Sequence, residues 1–176
     1  MMRARSCAVL LCFVAGLAAV VACGGPAEQA EPASQVPPAP DHLKNLHASD
    51  LTKGFAEQGL TCKAPQKERD TQHWVCESTT PIVQRLAEFY GKAPGRIEYI
   101  RVVVTQSGSP KLEMLGPLVG YVASLRYEGA DPEAARAWAE KNLAAGGMTA
   151  IGPAKLKLSG DLSRLVFEMK APGSEW

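Results

Sequence analysis

The residues through which this chain could do chemistry are few: three histidines, five cysteines and scattered serines and carboxylates. His42 and His47 stand five apart with Asp41 and Asp50 flanking them. That spacing does not place both rings on one helix face, so they read as an exposed approach to the domain, with no metal site. His73 lies between two cysteines, and a fourth ligand is missing from its neighbourhood. None of Ser107, Ser109, Ser159 and Ser163 stands in a G-x-S-x-G elbow, and each reads as a turn or cap residue. Asp131 and Glu133 are close enough to suggest a carboxylate pair, yet their place at a helix start makes them partners of the helix dipole. P-loop, dinucleotide-fingerprint and calcium-loop patterns are absent from the sequence. The expectation is a protein without catalytic residues, metal or cofactor.

The N-terminus carries more information. Arg3 and Arg5 precede an apolar stretch over residues 8–21, and small residues follow at 22–25. A positive start, an apolar centre of about a dozen residues and small residues at the cut describe an export signal, residues 1–22. The stretch falls short of the about 20 apolar residues that a membrane span needs. Val20-Val21-Ala22-Cys23 resembles the lipobox of bacterial lipoproteins, with Val at a position where Leu is commoner. The resemblance covers residues 1–25 only. It implies cleavage before Cys23, a diacylglyceryl thioether on its sulfur, and often an amide-linked acyl chain such as palmitate.

Residues 24–40 contain five prolines and no aromatic residue. Such a segment buries too little apolar surface to offset its ordering entropy, and reads as an extended tether of about 50 Å. The folding unit is expected at 41–176. Removing Arg3 and Arg5 from the 19 basic side chains leaves 17 against 18 acidic ones. That balance offers nothing to hold a phosphate backbone, so nucleic acid is not an expected partner.

Cys7 and Cys12 leave with the signal and Cys23 takes the lipid, so Cys62 and Cys76 remain. An even pair in an exported domain usually forms a disulfide. Leu60, Cys62 and Ala64 alternate with Thr61, Lys63 and Pro65, and Trp74 and Cys76 with His73, Val75 and Glu77. A hairpin with a polar tip over 66–72 puts both cysteines and Trp74 on one face. A redox-active pair would more often be spaced as C-x-x-C.

The remaining elements follow from period and punctuation. A short helix is expected from Ser49-Asp50, with Ser or Asp capping, to a stop at Gly59. Residues 82–90 fit either helix or strand, 96–105 fit a strand, and with a turn at 92–95 residues 86–105 read as a second hairpin. Ser109 and Pro110 are expected to open a helix that Pro117 bends, with Leu112, Leu115, Val119, Val122 and Leu125 as its stripe. Asp131 caps the next helix, whose buried face is marked by Trp138 and Leu143. A final hairpin alternates Ala154, Leu156 and Leu158, then Leu165, Phe167 and Met169, with Lys155, Lys157, Glu168 and Lys170 on the other face.

The sum is an α+β domain: an antiparallel sheet of hairpins with helices on one face, built around a repeated helix–hairpin unit. The order is similar to that of small helix-on-sheet modules in envelope lipoproteins of the outer-membrane-assembly and β-lactamase-inhibitor types, and no motif residue carries a function across. The expectation is a non-enzymatic lipoprotein of the bacterial envelope, bound to a membrane by lipid and to a protein partner by the face of Lys155, Lys157, Glu168 and Lys170. A small-ligand-binding lipoprotein and an envelope enzyme are the alternatives. With Gly24 after Cys23 and no retention signal, the periplasmic side of an outer membrane is the expected location in a cell with two membranes.

Overall fold

The computed structural model describes residues 41–173; the export signal, Cys23 and the expected tether lie outside the described residues. Helix α1 (Ala48–Glu57) comes first. It buries Ala48, Leu51, Gly54 and Phe55, the i, i+3, i+7 stripe that a helix lying on a sheet must bury. Its N-cap is His47, without a side-chain cap bond, so Ser49 and Asp50 sit inside the first turn and do not cap it. Gly59, at φ 76°, ends it where a side chain would be strained.

Strands β1 (Thr61–Cys62), β2 (Gln66–Glu68) and β3 (Thr71–Thr79) follow. The expected polar tip is itself paired: β2 lies antiparallel to β3. Cys62 and Cys76 are directly opposed across β1 and β3 and form a disulfide. Residues 82–90 resolve as strand β4 (Val83–Ala93), paired along its length with β5 (Arg96–Gln106). The helical pattern of apolar residues was a coincidence of two faces, because Ala87 and Phe89 face the core while Leu86 and Tyr90 line the other side. Register shifts at Gly91, where a Cβ would stand 2.1 Å from the Arg96 carbonyl oxygen.

After β5 the chain differs from expectation. Ser109 and Pro110 open no helix. A 3-10 turn (Leu112–Met114) precedes helix α2 (Gly116–Ala123), and Pro117 lies in its first turn, where a missing N–H costs nothing. Pro117 therefore starts the helix and does not bend it. Leu115, Val119, Val122 and Leu125 are buried as expected, while Leu112 is exposed. In helix α3 (Pro132–Asn142) the Asp131 carboxylate accepts from the Ala134 N–H, and the buried positions are Ala135 and Ala139, with Trp138 only part-buried.

Strands β6 (Gly147–Ile151), β7 (Ala154–Gly160) and β8 (Arg164–Lys170) complete the chain. The eight strands form one antiparallel sheet of order β1-β3-β4-β5-β8-β7-β6, with β2 beside β3. The repeat is thus larger than a helix and a hairpin. A helix leads into the meander β3–β4–β5, helices lead into the meander β6–β7–β8, and the two last strands pair at the centre. The core lies between the sheet and the helices. Phe55, Trp74 and Phe89 stack there, Tyr121 meets Phe55 edge-on, and Leu156, Leu165, Phe167 and Met169 fill the second half.

Candidate functional site

Alternation along every long strand sends every second side chain into the core and leaves a second face without helices. Register places Lys155 opposite Lys170 and Lys157 opposite Glu168, so the four expected face residues do share this open side. The same rows continue across the sheet. His73, Tyr90, Tyr99, Lys170 and Lys155 form one cross-strand row, and Val75, Glu88, Arg101, Glu168 and Lys157 the next.

These rows form a polar lattice. The His73 and Tyr90 rings stack at 4.2 Å and 5°, Tyr90 and Tyr99 at 5.7 Å, and the Lys170 ammonium lies 5.2 Å from the centre of the Tyr99 ring. The Tyr90 ring is therefore sandwiched between those of His73 and Tyr99. The Tyr99 hydroxyl donates to Glu168 Oε1, and Lys157 Nζ stands 3.5 Å from the other oxygen. Burial, followed by that bond to a carboxylate, pushes the Tyr99 hydroxyl well above the usual phenol range. Glu88 sits between Arg101 at 3.3 Å and His73 at 3.5 Å. Glu168 does not merely interrupt a basic stripe; it is the anchor that holds Tyr99 and Lys157 in place.

Beside the lattice runs an apolar row, Leu86, Val103 and Val166. Val103 is 6% exposed, at the floor of a hollow of about 280 Å³ lined by Leu86, Arg101, Thr105 and Arg164. His73, Glu88, Tyr90, Tyr99, Arg101 and this row are site residues that the sequence reading missed. Their signal was there, in the alternation Leu86-x-Glu88-x-Tyr90 and Tyr99-x-Arg101-x-Val103, but it becomes readable only once residues 82–90 are a strand.

On the helical side, an open groove of about 510 Å³ lies among Gln58, Gly116, Tyr121, Ser124, Arg136 and Glu140. Arg136 and Glu140 bond each other at 2.8 Å, so its charges already satisfy one another. Among the described residues no group of three or more His, Cys, Asp or Glu side chains is placed to hold a metal ion, and no helix is long and apolar enough to cross a membrane. No family model, no curated protein and no solved structure matches this chain.

Proposed function

We propose that this chain is a bacterial envelope lipoprotein, attached to a membrane by lipid on Cys23, whose domain acts without catalysis by binding a protein partner through its open sheet face. The observation that carries the reading is the apolar row Leu86–Val103–Val166, with Val103 buried and Leu86 and Val166 half-buried, on the face without helices and beside a lattice of part-buried charges. A surface of apolar residues rimmed by fixed polar groups is the composition of a protein interface. The stacking of Tyr90 between His73 and Tyr99 and the pairing of Glu88 and Glu168 with their neighbours commit these groups to one another, which favours a protein surface over a small-ligand site. The Cys62–Cys76 disulfide suits an oxidising compartment outside the cytoplasm. Two or three acyl chains bury enough methylenes, at about 0.8 kcal/mol each, to hold the protein permanently.

The test is Cys23→Ser in the native host. The variant is expected to stay unprocessed by the lipoprotein peptidase and to take up no labelled palmitate, which the wild type incorporates. Palmitate incorporation equal to that of the wild type would contradict the anchor.

A further inference from the structure

Three of the four large apolar side chains exposed among the described residues stand at one end of the sheet: Ile82 at 54%, Leu112 at 43% and Leu162 at 39%. Ile82 lies in the β3–β4 turn, Leu112 just beyond β5, and Leu162 in the β7–β8 turn. The end of β5 ties the three loops together, two through the buried Gln106 amide and the third through the Ser107 backbone. Gln106 Nε2 donates to the carbonyls of Lys111 and Leu162, at 3.0 Å each, and its Oε1 accepts the Lys111 N–H at 2.9 Å. The Gln106 backbone N–H donates to the Ser163 carbonyl at 2.7 Å, and the Ser107 N–H to the Ile82 carbonyl at 3.0 Å. At 6% exposure, Gln106 is the one buried polar residue among the described ones. A satisfied buried polar group rigidifies what it bonds, and here it fixes the segments that carry Leu112 and Leu162, while the Ser107 N–H holds that of Ile82.

The three charged side chains of these loops are exposed, and each has a partner. Lys111 faces Glu113 at 3.8 Å, and the Asp161 carboxylate turns back to the Ser163 hydroxyl and to the N–H groups of Ser163 and Arg164. The chain enters the domain at the opposite end. Asp41 is held by Arg96 at 2.8 Å and Lys92 at 3.3 Å, beside the β4–β5 turn. Strand β5, of 11 residues, separates the two ends, a span of about 35 Å at about 3.3 Å per residue. Residues 24–40 reach about 50 Å when extended. The segment is therefore long enough to let the domain stand on its far end, with Asp41 raised above the bilayer that holds Cys23.

We infer that Ile82, Leu112 and Leu162 form a rigid apolar tip that inserts into the outer boundary of the anchoring bilayer. The inference rests on the lipid anchor proposed above, which keeps the tip near the surface at an effective concentration of about millimolar, so that three aliphatic side chains suffice without a cationic ring. In this stance the strands stand up from the membrane and the open face looks along it. Insertion is driven by apolar contact, so it needs no anionic lipid and survives added salt.

The test uses a chain from Cys23 onward, coupled through Cys23 to a maleimide lipid in phosphatidylcholine vesicles. Leu162→Trp provides the reporter and brominated phosphatidylcholine the quencher, with the wild type, which keeps its own tryptophans, as baseline. The introduced indole is expected to be quenched above that baseline, at low and high salt alike, and Ile82→Ser with Leu112→Ser should remove the excess. Quenching no greater than baseline overturns the inference. So does quenching seen only with anionic lipid, or a dimer in sedimentation that the serine pair abolishes, which would make the tip a contact between copies. Because the coupling is chemical, failure here counts against the tip alone, while failure of the anchor shows separately in the palmitate labelling of Cys23→Ser.

Discussion

Glu168 is the residue at which a pattern in the sequence acquires a mechanism. Alternation puts it on the open face, but only the fold brings the Tyr99 hydroxyl and the Lys157 ammonium to its two oxygens. Partners from three strands, far apart in the chain, cannot be found by spacing. Asp41 teaches the same lesson at the other end of the domain. The His42 ring N–H donating to its carboxylate, with Arg96 and Lys92 beside it, holds the Asp41 carboxyl well below the usual carboxylate range. A lowered folded-state value contributes stability that is present above the unfolded value, about 4, and lost as pH falls further. Asp41→Asn should therefore melt slightly earlier than wild type at neutral pH and converge with it in strong acid. Melting curves taken across the acid range check this, and a gap that widens on acidification would mean another group governs the junction.

The elements were legible in proportion to how far local pattern decided them. The last hairpin obeyed strict alternation, and Leu156, Leu158, Leu165, Phe167 and Met169 are all buried. Strand β4 was ambiguous because it carries apolar side chains on both faces, Phe89 inward and Leu86 outward, which breaks period two. The helix expected from Pro110 was lost to Pro117, a second proline equally fit for a first turn, seven residues on. Strand β6 was missed, since Gly147–Ile151 is short and uncharged and takes its structure from pairing with β7. A one-sided sheet makes a sharp energetic statement. Phe167→Ala removes a fully buried ring and should cost about 3–5 kcal/mol, a large share of a domain's about 5–15 kcal/mol. Lys155→Ser with Lys157→Ser should cost under about 1 kcal/mol, because neither lysine is buried and Glu168 keeps the hydrogen bond from Tyr99. Denaturant titration of the two variants checks the contrast, and equal midpoints would refute it.

At the scale of the molecule, two meanders joined through β5 and β8 give one continuous sheet whose helices cover a single side. The α+β class was readable from the order of elements, whereas the doubling of a three-stranded unit was not, because β6 was unread. What the whole adds to its parts is a division of labour. The helical side closes the core, one end receives the chain at Asp41, the other exposes Ile82, Leu112 and Leu162, and the open face is the one proposed for a partner. In-cell photo-crosslinking tests that last assignment most directly, with a photoreactive residue placed at Lys157 on the open face or at exposed Lys53 on α1. The account predicts a discrete crosslinked species in the membrane fraction from position 157 and none from 53. The same species from 53, or from 53 alone, would contradict it and move the working surface to the helices.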